Sequence, residues 1–230
     1  MKTIINCYSA FFVITLFSVL LPANSSAGTP WFGAFEDPAL IIVYSISDED
    51  AQIITKGGAE DPLESLVIFG PRGVVRNRVR FKDGSRLGQA DFQFDSPEPS
   101  LDGLRAAYPP GKYHFWGQTV GGKILHNTVD LSYKLLSPPE ILYPGDADIG
   151  IPINNLVVQF TPPDDAEAIR LEIEDEEEGR AIKVDLSGDA SNFAVPNGWL
   201  KHGTEYVLDI KAVGDNGNQT VRDIHFVTEE

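Results

Sequence analysis

The chain is nearly free of cysteine: Cys7 is the only one, and it stands within the first 27 residues. A disulfide framework, a Cys-based zinc site and a thiol redox motif are excluded beyond that point. Long apolar runs are scarce as well. Apart from a stretch from about Ala10 to Leu21, nothing approaches the roughly 20 apolar residues that a spanning helix needs. Sustained 3.6-residue periodicity is missing, which argues against a helical bundle. Cations are few, with 18 Lys and Arg against 34 Asp and Glu and a net charge of −16. Such a surface repels nucleic acid and anionic membranes and favours cations or basic partners.

The N-terminus has the parts of a secretory leader. Lys2 precedes the apolar run, and Ser25-Ser26-Ala27 supplies a small-residue exit. This order predicts a signal peptide over residues 1–27, cleaved after Ala27, and no membrane insertion once it is removed. About 200 residues remain, enough for two domains that each bury a core. An exported chain without cysteine suggests a bacterial periplasm or exterior, so the expected location is secreted or periplasmic.

Beyond the leader the chain is a succession of short alternating runs broken by Gly, Pro, Asn and Asp, the pattern of an all-β sandwich. Leu40, Ile42, Tyr44 and Ile46 share one parity, as do Phe92 and Phe94. Tyr113–Thr119 and Lys123–Tyr133 read as a hairpin. Ser137-Pro138-Pro139 reads as a linker, because proline offers no ladder donor. Past the linker Ile169, Leu171 and Ile173 alternate with charges, and Tyr206, Leu208, Ile210 and Ala212 form the longest alternation, before a hairpin turn at Asp215-Asn216-Gly217-Asn218. The expected organisation is a leader (1–27), an Ig-like β-sandwich (28–136) and a second sandwich (138–230).

Leu200-Lys201-His202-Gly203-Thr204-Glu205-Tyr206, the alternation after it and the closing Phe226-Val227-Thr228 resemble a fibronectin type III domain over about 138–230. The resemblance implies a structural role for Tyr206, whose hydroxyl would bond back to nearby backbone at a strand corner. It also implies that Phe160 fills the place of the family's core tryptophan. Tyr108-Pro109-Pro110-Gly111-Lys112-Tyr113 repeats the turn–Gly–Tyr pattern in the first half. The whole layout resembles exported bacterial proteins that carry a β-domain ahead of a type III domain. That likeness implies architecture and compartment, not activity.

Catalytic signatures are absent. Gly117–Ile124 (GQTVGGKI) nearly spells a phosphate loop, but Ile124 replaces the Ser/Thr and the context is strand–turn–strand. Neither G-x-S-x-G nor H-E-x-x-H occurs. His114, His126, His202 and His225 lack a partner ligand at chelating distance within their own segments. No catalytic, cofactor or metal residue is nominated and no cofactor is expected. Loop-bound calcium at Asp48-Glu49-Asp50, or near Asp146 and Asp148, stays open beside the reading of solvated acidic turns. Glu174–Glu178 reads as a solvated hairpin tip.

Two surface features stand out. Arg76, Arg78 and Arg80 share strand parity and would line one face, either paired with internal acids or free to meet an anion. The second comes from register. An odd loop at Val120–Gly122 sets Tyr113 opposite Val129 and Phe115 opposite Asn127. That leaves His114, Trp116 and His126 on the outer face, with Trp116 opposite His126. The patch is then either a contact surface or is covered by the 96–107 loop. The expected function is a non-catalytic binding module with a protein or polysaccharide partner. An accessory protein for an anionic polysaccharide is the alternative, and a small hydrolase without a sequence signature comes third.

Overall fold

The computed structural model describes residues 32–82, 88–175 and 177–230. The expected leader and Cys7 lie outside the described residues. In chain order the strands are β1 (Phe32–Gly33), β2 (Glu36–Ser45), β3 (Ala51–Gly58), β4 (Leu63–Phe69), β5 (Val75–Arg80), β6 (Phe92–Asp95), β7 (Gly111–Thr119) and β8 (Ile124–Leu131). They continue as β9 (Glu140–Tyr143), β10 (Asp148–Ile151), β11 (Val157–Thr161), β12 (Ala168–Asp175), β13 (Arg180–Ser187), β14 (Asn192–Ala194), β15 (Glu205–Val213) and β16 (Gln219–Thr228). A helix, α1 (Leu101–Ala107), interrupts the first half. Ser100 caps it by accepting from the Gly103 N–H, and Leu104 anchors it in the core. No helix among the described residues is long and apolar enough to cross a membrane.

Each half closes a core of its own. In the first, the sheet β1-β8-β7-β4-β5 lies across β2-β3-β6. Leu40, Ile42 and Ile53 meet Leu66, Ile68 and Phe115 between them. Phe35, Phe92 and Phe115 add edge-on and tilted ring contacts at 5.9–6.4 Å between centroids, a spacing that suits aromatic quadrupoles. In the second half β9-β11-β14 lies across β13-β12-β15-β16. Val158 and Phe160 there meet Leu171, Leu208, Ile210 and Phe226. The change of core is sharp: Leu135 packs on the first and Leu136 on the second. The chain is all-β, two Ig-like sandwiches in succession.

The sandwiches are joined as well as linked. β2 pairs in parallel with β16, Val43 to Ser45 against Gln219 to Val221. The result is one sheet, β13-β12-β15-β16-β2-β3-β6, with β10 also on β16. Asn218 locks the joint from a buried position. Its Oδ1 accepts from the Ile42 N–H at 2.9 Å, and its Nδ2 donates to the carbonyls of Ser132 at 2.8 Å and Lys134 at 3.1 Å. The Thr220 hydroxyl donates to the Leu136 carbonyl. The hairpin turn read from Asp215–Asn218 therefore also clamps the first sandwich and the segment just ahead of the linker.

That sheet curls until its two edges line one cleft of about 390 Å³, which holds Gln93 of β6 and Asp185 of β13. Most of the charges inside it pair with one another, Lys56 being the exception among the described residues. Arg170 pairs with Asp185 at 2.8 Å, and Lys183 and Lys211 both turn to Glu172.

Candidate functional site

β7 and β8 pair in the register expected from the hairpin. Tyr113 faces Val129, Phe115 faces Asn127, and Trp116 faces His126. A three-residue loop sets it: the Thr119 N–H donates to the Lys123 carbonyl, and the Gly122 N–H to the Thr119 carbonyl. Gly122 takes φ 84°, a left-handed conformation that suits glycine at the end of such a loop. Tyr113 and Phe115 are consequently fully buried, and the intervening side chains project outward.

On that outer face Trp116 is 39% exposed. Its ring lies 4.2 Å from that of His126, and the His114 ring runs nearly parallel to the His126 ring at 5.7 Å. The His114 Nδ1 stands 3.4 Å from His126 Nε2 and 3.3 Å from the Thr128 hydroxyl. The alternative cover for Trp116, the 96–107 loop, goes elsewhere. Its helix sends Leu104 into the first core and packs beside β3. Val67 of β4 is Trp116's other neighbour, and Arg78 of β5 lies beyond Val67 in the same row. Arg80 comes one row on, across from Ser65 and Gln118. Both arginines are exposed, and neither forms an ion pair among the described residues.

The three-arginine stripe is not what forms. Ile68 pairs with Asn77 but Phe69 pairs with Val75, so Arg76 is the extra residue of a β-bulge. The bulge turns Arg76 away from the outer face. Its guanidinium stacks 5.5 Å from the Tyr108 ring and faces the Tyr113 hydroxyl, and its Nε is buried without a partner. Parity alone placed Arg76 beside Arg78 and Arg80, and a bulge shifts parity by one.

The two residues nominated as structural are both interior. Tyr206 is fully buried, its hydroxyl oxygen accepts from the Lys201 N–H at 3.0 Å, and its ring stacks on Phe226. Phe160 plugs the second core. A matching corner exists in the first sandwich, where the Tyr113 hydroxyl donates to the Pro109 carbonyl at 2.9 Å. Close by, the Tyr133 hydroxyl donates to the Tyr108 carbonyl, and burial pushes its pKa up to about 12. Each half thus has two facing sheets and a tyrosine bonded back to its own corner. The fold is a pair of fibronectin type III-like sandwiches.

No protein-family profile and no curated protein matches the chain. Solved structures similar to it include the fibronectin(III)-like modules of Clostridium thermocellum CbhA, with a TM-score of 0.35 and 9% identity over 85% of this chain and 93% of that one. The FN1-FN3 domains of chicken CNTN1 give a TM-score of 0.35 and 12% identity, over 86% and 66%. A two-domain fibronectin type III segment of chicken tenascin gives 0.31 and 13%, over 85% and 96%.

The acidic turns hold hydrogen bonds within the protein. Asp148 accepts from the Gly145 N–H at 2.7 Å, Asp146 from the His225 N–H at 3.1 Å, and Asp48 from the Ser45 hydroxyl at 3.1 Å. Among the described residues no three His, Cys, Asp or Glu side chains are grouped to hold a metal ion, so the calcium expectation finds no cage of side chains. At the acidic hairpin Glu177 and Glu178 are exposed, as expected of a solvated tip, and only the strand end turns inward. Asp175 is buried and accepts from the Glu178 N–H, and Glu178 pairs with Lys201.

Proposed function

We propose that this chain is an exported, non-catalytic interaction module, secreted or periplasmic, which meets its partner through the outer face of β8-β7-β4-β5. Its leader is residues 1–27, and its domains are residues 28–136 and 138–230. The observation that carries it is Trp116, a large ring 39% exposed on the outer face of a paired sheet, where the 96–107 segment does not reach it. Tryptophan combines a large contact area with few rotatable bonds, which makes an exposed one a natural anchor. Its neighbours Val67 and His126 widen the platform, and the paired strands hold it in place. A photo-crosslinker at Val67, in cells that export the protein, is expected to trap a partner. Trp116→Ala is expected to reduce that adduct and leave the thermal midpoint nearly unchanged. Equal adducts with and without Trp116 would remove the anchor from the proposal.

A second reading, contact with an anionic polysaccharide, is favoured by Arg78 and Arg80, exposed on the same face of an otherwise acidic chain. Retention on an immobilised polyuronate should then weaken with salt and disappear in the Arg78→Ser, Arg80→Ser double variant. A wild-type chain that passes through unretained at low salt removes this reading without the variant.

A further inference from the structure

We propose that His114 and His126 form a two-imidazole chelate for a divalent transition ion, with zinc the best fit. The two residues are twelve apart in sequence and lie diagonally across the β7–β8 pair. Pairing brings His114 Nδ1 to 3.4 Å from His126 Nε2. Two nitrogens bound at about 2.05 Å to one tetrahedral ion stand about 3.3 Å apart. The pair already lies within the span of one tetrahedral ion, and imidazole is a ligand that zinc accepts readily. The near-parallel rings need a turn about their terminal side-chain torsions to aim both lone pairs at one ion. Those wells are broad, and His114 can make most of the turn while Trp116 holds the His126 ring.

The surroundings supply support on one side and access on the other. Trp116 packs against the His126 ring at 4.2 Å and limits its swing. The Thr128 hydroxyl, 3.3 Å from His114 Nδ1, is placed to turn toward a metal-bound water. With two protein ligands the ion keeps open positions, filled by water or by a donor from another molecule. The chelate needs only these two imidazoles, and it holds or fails whether or not the face also binds a partner.

The test uses the full chain with Zn2+ alone. Calorimetry is expected to show one saturable site, lost in His114→Asn and in His126→Asn and kept in the His202→Asn, His225→Asn double variant. Co2+ in place of Zn2+ should quench tryptophan fluorescence, and Trp116→Phe should remove most of that quenching while the Zn2+ heat persists. In the unaltered chain, Zn2+ should protect His114 and His126 from diethylpyrocarbonate, mapped by mass spectrometry, and leave His202 and His225 reactive. No saturable heat up to millimolar Zn2+, binding undiminished in His114→Asn, or equal protection of all four histidines would each overturn the proposal.

Discussion

Asp209 shows how a single side chain is set by its neighbours. It lies on β15 beside Lys211, at 3.4 Å, in a groove shared with Asp48, Asp50 and Asp223. Burial raises its carboxyl above the ordinary value of 3.8. Lys211 opposes that rise, and Asp223 and Glu172 add to it. The raised value means that the folded state holds the proton more tightly than the unfolded chain does. The resulting stability is present below pH 3.8 and is lost as pH climbs through the raised pKa. Asp209→Asn removes the penalty of the charged form. The variant is expected to melt above the wild type at neutral pH and level with it in acid below the aspartate range. A gain of equal size at both pH values would assign the effect to something other than ionisation. Asp50, raised by desolvation and by Asp48 and Asp223, belongs to the same groove.

At the scale of elements, β7 has the largest part. Its inner side chains close the first core, and its outer ones present the candidate site. Gly117 is the reason it fits against β2's approach. A Cβ there would stand 2.5 Å from Phe35 Cζ and 3.1 Å from the Ser65 carbonyl oxygen. Phe35 cannot simply withdraw. Its N–H donates to Asn127 Oδ1 at 2.6 Å and its ring packs on Phe92 and Phe115. Gly117→Ala should destabilise the protein by about 1–3 kcal/mol through overpacking, read as a lower denaturation midpoint. An unchanged midpoint would mean that Phe35 moves freely. The β7–β8 register is legible in the sequence because the side-chain period is two and one residue more in the loop reverses every face. The bulge in β5 is not legible, since nothing in Val75-Arg76-Asn77 announces an extra residue. The mismatch arises against β4, and it divides the arginines into an exposed pair and one half-buried residue. The nearness of the two histidine nitrogens is equally hidden, because neither segment holds a ligand pair of its own and the pairing of two strands creates it.

For the whole molecule, the joint between β2 and β16 matters most. Its hydrogen bonds link residues up to 176 positions apart, so the sheet closes only once the last strand is in place, at a high cost in loop entropy. Two cores sharing one ladder should unfold in a single calorimetric transition. Asn218→Ala leaves the buried Ile42 N–H without its partner, a loss of about 1–3 kcal/mol, and is expected to split that transition in two. A wild type that already melts in two steps would show the joint to be too weak to couple the cores. By itself the sequence determined the all-β class, the tyrosine corner at Tyr206, the faces of β7 and β8 and the outward aim of Trp116. Each of these comes from local alternation, from turn chemistry or from one hairpin. Only the tertiary structure decided the fusion into one sheet, the withdrawal of Arg76, the partial exposure of Trp116 and the meeting of His114 with His126. Those depend on which segments become neighbours and where a ladder slips, and contacts between distant segments leave no period in the chain.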